Sequence, residues 1–225
     1  MFSVLFEVQP RRDEWDVYLA RADMRRAQLE RTPGFIDNIH YSSLTRDGWI
    51  LSLSGWRDEE SILRWHERMR GDEGYDGKAV PDHRLRVGEV TSDTGLPQGQ
   101  EIAMRSPDAA EAGEGTYVTL IDAKQTLEWV SMHNPQEIAI YLGFDLYSYG
   151  ECISWDIFNS LSNPGEIILI VTWRDAQSAN DHAATQIVPE GARVRVLRIV
   201  RDQAAGDPPQ ASADQPAAGR AAIGA

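Results

Sequence analysis

An α+β chain of two βαββαβ units in tandem is what this sequence predicts, on three observations. Trp-Arg-Asp closes an apolar run twice, at 56–58 in SGWRDEES and at 173–175 in VTWRDAQS. The two tryptophans stand 117 positions apart in a chain with only seven. Each is followed by an Arg-x-Arg-Val segment, at 84–87 and again at 193–196. The order strand, helix, strand, strand, helix, strand around each copy is the ferredoxin-like arrangement, and its recurrence reads as an internal repeat.

In the first unit, residues 2–8 alternate, with Phe2, Val4, Phe6 and Val8 on one face of a strand. Residues 13–31 place Trp15, Tyr18, Leu19, Ala22, Arg26 and Leu29 at helical spacing, and Thr32-Pro33-Gly34 stops that helix. FIDNIHYSSL and GWILSLSGW are extended segments joined through Asp47-Gly48, which supplies the positive backbone angles of a tight hairpin. Asp58 is placed to cap a second helix carrying Ile62, Trp65, His66 and Met69, with Glu59 and Glu60 at its positive end. HRLRVGEV closes the unit.

The second unit repeats the order with TYVTLID, a helical region within 123–142, ISWDIFNS, GEIILIVTW and ARVRVLRIV. Trp173 to Arg193 spans 20 positions where Trp56 to Arg84 spans 28, so its second helix or connection is shorter. Its aromatic residues gather elsewhere, in YLGFDLYSYG and at Trp155, and His182 follows Trp173 by nine positions much as His66 follows Trp56 by ten. The boundaries are 1–90 for the first domain, 91–115 for a Gly/Pro/Ala-rich linker, 116–202 for the second domain and 203–225 for a low-complexity tail expected to be disordered.

With 22 Lys and Arg against 35 Asp and Glu, the formal charge of -13 repels phosphate backbones and anionic lipid surfaces, which argues against nucleic acid and membrane partners. The N-terminus lacks the order of a cleaved leader, and no apolar run approaches a membrane span. One cysteine, Cys152, makes no internal disulfide, and no Cys/His cluster has metal spacing. The expectation is a cytoplasmic protein without a metal.

GFIDNIHYSS, WILSLSGWRDEESILRWH and HRLRVGEV together resemble the antibiotic biosynthesis monooxygenase family. The first unit matches over almost its full length, the second mainly around Trp173 and its last strand. The resemblance implies a dimeric α+β barrel, in which two ferredoxin-like sheets pack face to face. The tandem units would do so within one chain as a pseudo-dimer, while pairing between two chains stays open.

The family's monooxygenases imply a reaction that needs neither metal nor flavin. A quinol, anthrone or phenol is deprotonated in a dry aromatic pocket, and its anion reduces dioxygen directly. Trp65 resembles the family's pocket tryptophan, and His66 beside it titrates near neutrality. Asn38 and His40 share one face of the hairpin strand, Tyr41 takes the other, and Arg86 offers a fixed cation. The catalytic candidates are therefore His66, Trp65, Asn38 and Tyr41, and the substrate-binding ones His40, Arg86 and Trp49. For Trp56 and Trp173 the preferred reading is corner packing, with Asp58 and Asp175 as helix caps.

Two other readings stay open. Relatives that bind and degrade haem use an Asn on the first strand and a His nine positions after the helix Trp. Here Val4 and Gly74 stand in those places, which disfavours haem. A non-catalytic module that binds a small aromatic, or acts by pairing, fits the same fold.

Overall fold

A computed structural model of the chain describes residues 1–70, 82–96, 102, 117–125, 134–145 and 151–205, with the side chains of 69 and 70 outside that description. Much of the expected linker, the expected tail from 206, Gly74, Tyr147, Tyr149 and residues 126–133 of the expected helical region lie outside the described residues. Among the described residues, eight strands and four α-helices follow one another as β1 (Phe2–Gln9), α1 (Trp15–Glu30), β2 (Phe35–Ser43), β3 (Ile50–Trp56), α2 (Glu59–Arg70), β4 (Asp82–Asp93), β5 (Tyr117–Lys124), α3 (Pro135–Tyr141), β6 (Cys152–Ser160), β7 (Glu166–Trp173), α4 (Ala176–Thr185) and β8 (Arg193–Ala204).

All strand pairings are antiparallel, and the strands close into one barrel in the order β1-β3-β2-β6-β7-β5-β8-β4. The sheets were expected to meet face to face. They also join edge to edge, through a short seam between β2 and β6 and a long one between β4 and β8. Closure gives every edge strand a partner for its backbone N–H and C=O groups, which an open four-stranded sheet cannot do.

Alternation along each strand then separates two environments. Leu5, Tyr41, Leu51, Leu53, Val118, Leu120, Phe158, Ile168, Ile170 and Leu197 come from both halves and form one buried cluster, the barrel interior. The opposite strand faces look out toward the helices. Phe2, Trp56, Ile62 and Val87 form the first helix-side cluster. Ile121, Ile138, Leu142, Phe144, Ile157, Leu169, Val171, Trp173 and Val196 belong to the larger second one.

Both Trp-Arg-Asp corners do the same work. Trp56 and Trp173 are buried, and their Nε1–H groups donate to Ser54 Oγ at 2.9 Å and Thr119 Oγ1 at 2.8 Å. The N–H of Ser61 donates to Asp58 Oδ1 at 2.8 Å, and that of Ser178 to Asp175 Oδ1 at 2.8 Å, so each aspartate caps the helix that follows. The Arg-x-Arg-Val strands bind across the long seam: Arg84 reaches Asp202 at 2.6 Å, and Arg193 reaches Asp93 at 2.6 Å.

Some details depart from the sequence reading. β4 runs on to Asp93, because Ser92 and Asp93 still find partners in Val196 and Arg195. Arg26 does not join the inner face of α1; it is exposed and pairs with Glu30 at 3.1 Å, and Arg25 takes the half-buried place. In the β2–β3 hairpin only Gly48 has a positive φ, at 76°, so Asp47 keeps an ordinary conformation.

Candidate active site

Four strands in the order β2-β3-β1-β4 present the first half's outward face to α1 and α2. The register lays residues out in rows across them. Asn38 lies beside Ser54, Val4 and Val87; His40 beside Ser52, Phe6 and Leu85; Ser42 beside Ile50, Val8 and His83. Asn38 Nδ2 donates to Ser52 Oγ at 3.0 Å. Aromatic rings line one end, with Phe35 edge-on to Trp56 at 5.4 Å and Trp65 at 6.4 Å from Trp56.

This face is incompletely covered. Val4, Phe6, Asn38, His40, Ser52, His83, Leu85, Trp65 and His66 are all half-buried, and α1 has no fully buried residue along its 16 positions. In the second half the register repeats at a constant offset of 117 from β2 into α4, including the bulge at the start of the hairpin strand. There Asn38, His40, Ser52 and Ser54 are replaced by Trp155, Ile157, Leu169 and Val171. Ile157, Leu169 and Val171 are fully buried under Phe144, Leu142 and Ile138. One outward face carries half-buried Asn38, His40, Ser52 and His83 among its apolar residues; its counterpart is apolar and filled.

The same offset corrects the pairing of the histidines. His182 corresponds to Trp65, not to His66, whose counterpart is Ala183. The His182 ring lies 4.9 Å from that of Trp173, and its Nε2 is 3.3 Å from the Gly143 carbonyl. Burial holds its pKa down to about 4, so at neutral pH it is an uncharged packing group.

His40 is also held below the usual histidine range, first by burial, against the opposing pull of Asp23 on α1. A neutral imidazole on the sheet can accept a proton at pH 7. Beside it, the Asn38 amide is oriented by its bond to Ser52 and carries a second N–H. Asn38 and His40 thus share this face, and Trp65 on α2 packs against its Trp56 end, with His66 half-buried next to Trp65 in sequence.

It does not bring Tyr41, Arg86 or Trp49 there. Tyr41 packs in the barrel interior, where burial pushes its phenol well above the ordinary range, and Asp122 adds to the shift. Arg86 points into the same interior, donating to Glu7 at 2.5 Å and to Thr172 Oγ1 on the far wall at 3.0 Å. Trp49 sits at the hairpin tip under the Arg46 guanidinium, 4.5 Å from its ring centre. Arg46 itself binds Glu7 at 2.5 Å and Asp156 at 2.6 Å, tying the hairpin to both halves. Alternation alone put Tyr41 opposite Asn38 and His40; only closure of the barrel showed that this opposite face is a dry core.

Comparison with known proteins now adds a family. The model of the antibiotic biosynthesis monooxygenase family matches residues 1–70, the segment that carries Asn38, His40, Trp65 and His66. The chain is 35% identical over 188 residues to the jasmonate monooxygenase ABM of Pyricularia oryzae, covering 80% of this chain and 85% of that protein. This chain belongs to the antibiotic biosynthesis monooxygenase family.

Solved structures are similar more distantly. An anthrone oxidase-like protein matches at 14% identity and a TM-score of 0.35, over 92% of this chain and 94% of its own. A haem-binding protein from Thermus thermophilus matches at 13% and 0.28, over 89% and 91%.

His83 was not singled out by sequence. It lies outside the matched segment, and only the register of β4 against β1 turns it to the same outward face as His40. Among the described residues no three His, Cys, Asp or Glu side chains come together as metal ligands, and no helix is long and apolar enough to cross a membrane.

Proposed function

We propose that this family member is a monooxygenase whose substrate binds between α1, α2 and the outward face of β2-β3-β1-β4, without a bound cofactor. One observation carries the reading: of two matching outward faces, one holds half-buried polar side chains, and the other is apolar and filled. In this reading the chain is a tandem duplication, with domains expected at 1–90 and 116–202 whose last strands run on to Asp93 and Ala204, so that the linker and the tail begin after those residues, and with the second domain as a built-in partner. The constant offset, the repeated bulge and the paired Arg84–Asp202 and Arg193–Asp93 bridges support it.

For a quinol, anthrone or phenol-like substrate, neutral His40 takes a proton and leaves an electron-rich anion. Asn38 steadies the oxygen on which negative charge grows, and the rings of Trp65, Phe6 and Phe35 hold the substrate plane away from water. His66, on the α2 side, passes the proton onward. The substrate supplies all the electrons: an anthrone and one dioxygen give an anthraquinone and one water, with the two hydrogens of the reacting carbon leaving in that water.

The relative's name favours a second substrate class, a jasmonate-like cyclopentanone acid. Such a ketone also has removable α-hydrogens. Its hydroxylation, however, consumes two electrons from outside, so dependence on an added reductant separates the two classes.

The test is oxygen uptake by chelator-treated protein with anthrones, naphthols, quinols and jasmonic acid, with and without ascorbate. Uptake that falls about 100-fold in His40→Gln and Trp65→Phe supports the site. A folded protein that consumes no oxygen with any of them favours a non-catalytic binding module. A red, haem-loaded purified sample would instead favour the haem-binding reading.

A further inference from the structure

We propose that His83 is a specificity-determining contact for the substrate, engaging an oxygen at the end of the pocket remote from His40. The inference rests on the location of the pocket argued above. His83 stands on β4 opposite Val8, so it faces the helices, and its ring lies 6.0 Å from that of Phe6. Its Nδ1 is buried and has no hydrogen-bond partner among the described residues. On the same face the Trp56 indole N–H, by contrast, donates to Ser54 Oγ.

A buried imidazole nitrogen left unpaired is costly, and a ligand oxygen or hydroxyl would satisfy it by displacing the side chains that cover it. The position also follows the division between the halves. With Arg84 and Arg86 matched to Arg193 and Arg195, the counterpart of His83 is Ala192, which packs against the filled cluster. At this position the half-buried face carries histidine and the filled one alanine.

Placement constrains the ligand. His40 and His83 are on the outer strands β2 and β4, three interstrand spacings or about 14 Å apart across the sheet, and one row or about 7 Å apart along it. A molecule that touches both is longer than one benzene ring. It is a fused-ring system or a ring with an extended chain, bearing one oxygen near the reacting carbon and another at the far end.

Wild type, His83→Leu and His83→Gln are compared with 1,8,9-trihydroxyanthracene and jasmonic acid as long probes and hydroquinone as a short one. Binding is read by quenching of tryptophan fluorescence, turnover by oxygen uptake, and stability by the Tm of ligand-free protein. We expect His83→Leu to keep or raise the Tm and to weaken KM or Kd for a long probe about tenfold with little change in kcat. Hydroquinone should be unaffected, and His83→Gln should restore part of the loss. A Tm several degrees lower in His83→Leu would make the residue structural and overturn the proposal. So would equal Kd values for wild type and His83→Leu, or no binding of any long probe by wild type. Long probes that bind without oxygen uptake would overturn the monooxygenase reading instead, and the Kd comparison would still decide the role of His83.

Discussion

His182 lies against Trp173 with ring centres 4.9 Å apart, in the place where Trp65 lies against Trp56 at 6.4 Å. The smaller imidazole leaves room that Phe144 occupies, 5.7 Å from His182 and 6.0 Å from Trp173. A position that carries an aromatic wall in one half is thus closed off in the other.

Because burial holds the His182 pKa near 4 against an ordinary 6.5, the folded protein resists its protonation while the unfolded chain does not. This stability is fully present above pH 6.5 and is lost as the pH falls toward 4, by up to about 3 kcal/mol. His182→Phe should flatten that part of a plot of Tm against pH. An unchanged acid slope would mean that other groups govern it.

Transplanting the second half's residues should fill the pocket. Asn38→Trp with His40→Ile copies Trp155 and Ile157 into matching positions. We expect oxygen uptake to drop at least about 100-fold with the Tm held or raised, since polar surface is replaced by apolar packing. Retained turnover in the double variant would place the chemistry elsewhere.

The pH profile of kcat/KM should report His40. Its pKa is lowered by burial, so the neutral form prevails at neutral pH and the acid limb should lie below 6.5. His40→Gln should remove that limb, while His66→Ala should leave its midpoint in place. A limb that survives His40→Gln assigns the proton acceptor to another group.

Inside the barrel, burial raises the Glu7 pKa, but Arg86 and Arg46 outweigh it, so Glu7 stays ionised. Arg86→Met should therefore cost about 2–3 kcal/mol in urea unfolding, because the buried Glu7 carboxylate keeps only its bond to Arg46. Glu7→Leu combined with Arg86→Met should recover much of that loss. An Arg86→Met variant of normal stability and no turnover would restore Arg86 to the catalytic list.

Gly34 ends the turn after α1 with φ at 87°, and a Cβ there would lie 2.1 Å from Ser61 Oγ. Gly34→Ala should lower stability by about 2–3 kcal/mol, through positive-φ strain and the collision with α2. Asp58→Ala, which removes the cap of that helix, should cost about 1 kcal/mol. Thermal unfolding checks both.

Local chemistry carried much of the architecture. Alternation in FSVLFEV, the cap after each Trp-Arg and the glycine of the hairpin are properties of neighbouring residues, and the strands and corners formed where they pointed. The recurrence of Trp-Arg-Asp likewise located the offset that relates the halves. Asn38, His40, Trp65 and His66 were visible because two are adjacent on a helix and two alternate on one strand.

Other features depended on distant segments. Tyr41 and Arg86 were plausible site residues in a single open sheet, yet the second half seals the face they occupy. His83 gained its meaning from pairing with Val8, 75 positions away. By itself, the sequence determined the elements, their order, the helix caps and the family, because these rest on short-range patterns. Only the tertiary structure decided which face is core, which histidines share an outward face and which half packs its outward face with apolar side chains. Those properties depend on strand register and closure, where a shift of one residue turns every side chain to the other face.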